Sequence, residues 1–118
     1  MAWFNIRVWK INTSQMLTGG AAFGAMQAYD PENHIPMRQT VRLDSNSINI
    51  YEGDVVDMEG WDRPAIVWYE EEDWMFYAGH QEGNMGVMLT QLHDGDVEII
   101  GNIYENPEYN DLMKKVKK

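Results

Sequence analysis

Three histidines, 19 carboxylates and one glycine run are the residues of this 118-residue chain with chemistry to offer. His34, His80 and His93 fall in three separate predicted loops. No His-Glu-x-x-His pattern or close histidine pair fixes the geometry a zinc ion needs. His80 with Glu82, or His93 with Asp94 and Asp96, makes at most a weak site assembled in space. The glycines from Gly19 to Gly24 lack the Gly-Lys-Ser/Thr ending that puts an ammonium and a hydroxyl on phosphate and magnesium. They read as a loop or a short, poorly formed helix. Asp44-x-Asn46-x-Ile48 opens like a calcium loop, but Asn49 stands where the turn needs glycine and Val55 where a bidentate Glu belongs. That segment reads as a polar turn. Ser14, Ser45 and Ser47 lie outside any Gly-x-Ser-x-Gly elbow, and without cysteine there is no thiol nucleophile. Carboxylate pairs such as Glu52/Asp54 and Asp94/Asp96 are too common in an acidic chain for their spacing to argue. The chain reads as non-enzymatic, with no cofactor and no metal.

The elements that would position these residues must come from one compact domain, as the length implies. A hydrophobic fraction of 44% and an aromatic fraction of 12% are too high for a disordered acidic chain. The absence of cysteine excludes disulfide frameworks, zinc ribbons and iron–sulfur ligation. The formal charge is −10, and between Leu43 and Asp111 there are 17 acidic residues against a single basic one, Arg63. Lysines at 114, 115, 117 and 118 then close the sequence. A phosphate-binding surface needs clustered Lys and Arg, so direct nucleic-acid binding is not expected. No basic stretch leads into an apolar run near Met1, and the apolar runs are far shorter than the ~20 residues that span a bilayer. The expectation is a cytoplasmic protein without membrane contact.

The pattern along the chain is mainly β. Phe4 to Ile11 alternates as a strand, with Phe4, Ile6 and Val8 on one face. Asp30 to Asn33 is a turn, Met37 to Leu43 a strand, and Asp44 to Ser47 a turn held by side-chain-to-backbone hydrogen bonds. A strand over Ile48–Tyr51 is interrupted at Glu52-Gly53-Asp54, where Gly53 supplies a positive φ. Ala65–Tyr69 and Trp74–Tyr77 form the clearest hairpin, around Glu70 to Asp73. Both of its faces are apolar, so one enters the core and the other is covered by a second sheet, a terminal segment or another subunit. Trp68, Tyr69, Trp74, Phe76 and Tyr77 are therefore both core candidates and the candidate interface. Val87–Leu92 and Val97–Tyr104 read as a further pair turned at His93 to Asp96. Asn106 as N-cap, Pro107 at the first helical position and apolar Tyr109, Leu112, Met113 and Val116 predict a short C-terminal helix. Closely spaced strands without helical patterning between them suggest a meander closing into a small barrel or sandwich.

Asn5-Ile6-Arg7-Val8-Trp9-Lys10, Ile50-Tyr51-Glu52-Gly53-Asp54-Val55-Val56 and Glu98-Ile99-Ile100-Gly101-Asn102-Ile103-Tyr104-Glu105-Asn106-Pro107-Glu108 are three segments that, in this order, resemble the YopX-like family of bacteriophage and prophage proteins. Val41-Arg42 stands in place of an expected Gly-Leu, and Ser47 where a turn glycine is common. Residues 17–36 have no counterpart in the resemblance. It implies a single domain over residues 1–118: N-terminal strands and a variable loop (1–43), a barrel body (44–105) and a C-terminal helix (106–118). The implied fold is a partly open SH3-like β-barrel with added strands, assembling into homo-oligomers in a bacterial host cell. The resemblance carries no activity and no catalytic residues. Tyr51, Glu52, Gly53 and Asp54, with Gly101, Asn102, Tyr104, Glu105, Asn106 and Pro107, are expected to shape bends and caps.

Two functions fit these expectations. One is a phage accessory protein acting through protein contacts or self-assembly. The other is an acidic decoy that occupies the DNA-binding surface of a host protein, steered by its field.

Overall fold

The computed structural model describes residues 6–58, 60–61, 63–72, 74–80 and 85–109. The chain divides into two compact units, residues 1–39 and 40–118.

The first unit is built on β1 (Ile6–Lys10), which lies between β2 (Gln15–Leu17) and the start of β3 (His34–Leu43), antiparallel to both. Val8, fully buried, faces Leu17 on one side and Pro36 on the other. Phe4 and Asn5, expected in the same strand, lie outside the described residues. A 3-10 turn at Ile11–Thr13 connects β1 to β2 and ends on Ser14 in a left-handed conformation (φ 53°). Of the two readings of the glycine run, the helix is found: α1 covers Gly19–Gln27 and packs on β1 and β2. Gly19 opens the helix at φ 55°, while Gly20 and Gly24 each cost it about 1 kcal/mol relative to alanine. Burial of Ala22 against the sheet, not propensity, holds it. The Asp30–Asn33 turn forms as expected: Asp30 Oδ1 accepts from the Glu32 N–H, and the Asp30 carbonyl accepts from Asn33 and His34.

In the second unit the end of β3 turns into β4 (Asn49–Tyr51), and a five-stranded antiparallel sheet follows. Its strands are β5 (Asp54–Met58), β6 (Ala65–Glu70), β7 (Met75–His80), β8 (Met85–Met88) and β9 (Val97–Asn102), in the order β8-β7-β6-β5-β9. The sheet curls into a half-barrel, so the fold is mostly β and barrel-like. Its front face carries the main core: Val56, Met58, Ala65, Val67, Ala78 and Val97, joined by Ile50 and Leu89. Its back face buries Val55 and Ile66 beneath Ile103, with Tyr104 and Tyr109 packed alongside. β5 and β6 therefore bury apolar side chains on both sides where both faces are covered.

The pairing expected between Val87–Leu92 and Val97–Tyr104 does not form. β8 pairs with β7 and β9 pairs with β5, at opposite edges of the sheet. The reason lies in the connection: residues 89–91 form a 3-10 turn, and the loop after it bonds elsewhere. The Gly95 N–H donates to Leu43 O (3.1 Å), the Leu43 N–H to Asp94 Oδ1 (3.1 Å) and the Ser45 N–H to Val97 O (2.8 Å). Between Val55 and Val56 the β5–β9 register slips: Val55 faces Gly101 and Val56 faces Ile99, leaving Ile100 as a bulge.

Val41 holds a left-handed φ of 67° with its side chain 74% exposed. A β-branched residue rarely adopts that conformation. The Arg42 N–H reaches back across it to Thr40 Oγ1 (3.1 Å). Of the expected C-terminal helix, Pro107–Tyr109 form a 3-10 turn, and residues 110–118 lie outside the described residues.

Candidate functional site

The β6–β7 hairpin carries the aromatic residues expected at an interface, and strand alternation separates them. Tyr69 and Phe76 face each other across the strands, ring edge to face at 4.9 Å, on the front side where Phe76 packs on the core. Trp68 and Tyr77 stack at 5.5 Å with only 14° between their planes. They lie on the back, two residues along from Ile66, with Met88 as the next cross-strand neighbour. Trp74 sits in the turn at φ 56°, and its side chain is 81% exposed. Four of the five residues thus form two cross-strand pairs on opposite faces, and the fifth projects from the tip.

The bend residues form a second constellation around the start of β5 and the end of β9. Gly53, at φ 86°, donates its N–H to Val67 O (2.9 Å) and accepts from the Ile103 N–H (3.0 Å), tying three segments at one residue. Asp54 is buried, and its Oδ2 accepts from the Tyr51 N–H at 2.8 Å, closing the bend on itself. Asn102 organises the closing loop. Its Oδ1 accepts from the backbone of Tyr104 (3.0 Å) and Glu105 (2.8 Å), and its Nδ2 donates to Glu105 Oε1 (2.8 Å). Asn106 Oδ1 returns to the Asn102 N–H (3.1 Å). Gly101 leaves room for this: a Cβ there would come within 2.5 Å of Asn106 Oδ1 and 3.4 Å of the Tyr109 ring. These contacts lay Ile103, Tyr104 and Tyr109 over Val55 and Ile66. Of the three covers open to the hairpin's second face, the terminal segment takes this end of it.

A third carboxylate, Asp44, belonged in the sequence only to a polar turn. It is 3% exposed. Oδ1 accepts from the backbone of Asn46 (2.9 Å) and Ile48 (2.8 Å), and Oδ2 from Ile99 in β9 (3.1 Å). Burial pushes its carboxyl up, but the N–H donors of Ile48, Ile99 and Asn46 outweigh it and hold the group below its ordinary value. The Asp-x-Asn turn signals the first two bonds. The third, from a strand 55 residues away, has no local signal.

Met58, Trp61, Val87, Leu92 and Val97 line an open cleft of about 330 Å³, with Asp96 as its polar wall. Asp96 Oδ2 already accepts from the His93 N–H at 2.7 Å. Asp94 serves the Leu43 backbone and stands 3.8 Å from Arg42 at the surface, a weak ion pair. His34 is buried in the first unit, where its Nδ1 accepts from the Asp30 N–H (3.0 Å) and its ring stacks on Tyr29. Among the described residues, no three His, Asp or Glu side chains gather as metal ligands. No helix among them is long and apolar enough to cross a membrane.

The fold is similar to that of protein EF1440 from Enterococcus faecalis, whose crystal structure matches with a TM-score of 0.59. That match covers 88% of this chain and 95% of the other at 18% sequence identity, so it speaks to fold alone. No curated protein matches the sequence. The family described as "YopX protein" matches residues 12–110, a span that takes in both the Tyr51–Asp54 bend and the Gly101–Pro107 closing loop. With most of its length accounted for in this way, the chain belongs to the YopX family.

Proposed function

We propose that the protein is a phage or prophage accessory protein of the bacterial cytoplasm that works without catalysis, by self-association through the back face and tip of the β6–β7 hairpin. The observation that carries this reading is the Trp68–Tyr77 stack lying beyond the closing loop's cover, with Trp74 exposed at the end of the same hairpin. Large aromatic rings are the side chains most often found at the energetic centre of a protein interface. A stable interface needs about 800 Å² from each partner, so these rings would be its centre and not its whole extent.

Sedimentation over a concentration series tests the proposal. A defined oligomer is expected, weakened by Trp68→Ala and by Trp74→Ala. A strictly monomeric protein at every concentration overturns it. The acidic decoy is a separate outcome, favoured by the exposed cross-strand carboxylates Asp57 and Glu98. Like charges placed opposite each other destabilise a sheet unless something else uses them. A host protein captured at low salt, lost as ionic strength rises and indifferent to the hairpin substitutions would move the function to that surface.

A further inference from the structure

We infer that the open cleft on the front of the five-stranded sheet is a binding site for a small organic cation, an ammonium group carried on an apolar body. The site is separate from the back face of the β6–β7 hairpin and does not depend on self-association.

The cleft lies where the half-barrel does not close. β8 and β9 are opposite edges of the sheet, yet Val87 of the first and Val97 of the second both line it. The mouth of a curled sheet is a favoured place for a small ligand, and a volume of about 330 Å³ is enough to hold one. Two turns complete the walls. The Trp61 N–H donates to Met58 O (3.0 Å) across a turn in which Gly60 holds φ 86°, which sets Trp61 beside Met58. Leu92 follows the 3-10 turn at Leu89–Gln91 with its N–H on Leu89 O (3.1 Å), and Leu89 is fixed in the core. Trp61, Val87 and Leu92, each half-buried, therefore rest on the core and line the cleft as well.

Asp96 gives the site its sign. The turn that carries it is closed twice: the Asp96 N–H donates to His93 O (3.1 Å), and Asp96 Oδ2 accepts from the His93 N–H (2.7 Å). The carboxylate is thus oriented before any ligand arrives, and among the described residues its Oδ1 accepts no bond. No Lys or Arg lines the cleft, and the 17 acidic residues between Leu43 and Asp111 face a single basic one, so the field there attracts cations. An indole and a carboxylate in one apolar cleft are the groups that hold an ammonium ion: the ring face attracts its charge and the carboxylate accepts its N–H. The Met58, Val87, Leu92 and Val97 side chains take the apolar body out of water. A phosphate or carboxylate ligand would meet no cationic side chain in this cleft.

Titration of the ¹⁵N-labelled full chain with phenethylammonium chloride, beside phenethyl alcohol and hydrocinnamate at matched ionic strength and neutral pH, tests the site. Saturable shifts are expected at the amides of Trp61, Leu92 and Asp96 and at the Trp61 indole, with a Kd of about 10 mM or tighter for a probe of this size. The ammonium is expected to bind about three- to tenfold more tightly than the alcohol, and hydrocinnamate the most weakly of the three. Asp96→Asn keeps an acceptor for the His93 N–H and removes the charge. It should bring the ammonium down to the affinity of the alcohol and leave the alcohol unchanged. No saturable shift with the ammonium up to about 50 mM overturns the site. So do shifts centred on Trp68 and Tyr77 in place of the cleft residues. Equal binding of ammonium and alcohol by the unaltered protein, or a preference that survives Asp96→Asn, overturns the assignment of a cation. If Asp96→Asn does not fold, the ammonium-to-alcohol ratio of the unaltered protein decides, since an electrostatic preference must fall as salt rises.

Discussion

The two faces of the five-stranded sheet both bury apolar side chains, yet they are finished differently. On the front, residues from β5, β6, β7 and β9 interlock with Ile50 and Leu89, and the polar contacts lie at the margin. On the back, one end is sealed by a loop held by the side chains of Asn102 and Asn106, and the other end is an aromatic stack. The lesson is that burial on the front follows from the sheet's own curvature. Burial on the back depends on a segment being delivered there. The front should therefore answer to packing defects alone, while the back should divide sharply between Ile66 and Trp68, only two residues apart.

The largest effect is expected from Ile66→Ala. Removing a fully buried aliphatic side chain under the closing loop should cost about 2–5 kcal/mol in chemical denaturation. A loss below 1 kcal/mol would mean the loop does not seal this end. Next is Asn102→Ala, which removes the acceptor of the Tyr104 and Glu105 N–H groups and should cost about 0.5–1.5 kcal/mol for each of the two lost bonds. Hydrogen exchange at those two amides should rise far more than at front-face positions such as Val67.

Asp44→Asn removes a charged acceptor from a buried site and should cost about 1–3 kcal/mol at neutral pH. Its pH dependence has a definite sign. The folded carboxyl titrates below its ordinary 3.8, so Asp44 stabilises fully above that value and loses its contribution as pH falls through the lowered folded value. The Asn variant should lack this acid-side slope, and thermal melts between pH 2 and pH 6, on the order of the range in which carboxylates titrate, would show it. Smaller still, Ser47→Gly should stabilise by about 0.5–1 kcal/mol, because Ser47 holds φ 63° where glycine pays no steric penalty. Smallest is Trp74→Ala, which should change stability by less than about 0.5 kcal/mol while weakening association. A large stability loss there would place the tip in the fold and not at a contact.

What could be read from the sequence follows the range of each interaction. Local signals were legible: the positive φ at Gly53, the side-chain bonds of the Asp44 turn, and the hairpin with both faces apolar. The family motif carried the bend and the closing loop. Partner choice between strands was not legible. Val87–Met88 and Val97–Ile99 are equally good strand formers, and nothing local says that one pairs with β7 and the other with β5. The helix at Gly19–Gln27 was ambiguous because its glycines oppose a conformation that packing imposes. Val41 is the hardest case, since valine is among the residues least suited to the left-handed backbone it adopts.

Ile100 is the one residue of β9 that has no cross-strand partner on β5. Its deletion would leave Val56 opposite Ile99 and Val55 opposite Gly101, with every other side chain still on the face it now occupies. What would go is the extra local twist that a bulge adds. This makes position 100 a place where curvature can be changed without changing parity. The radius of the half-barrel and the identity of its two faces are thus separable traits.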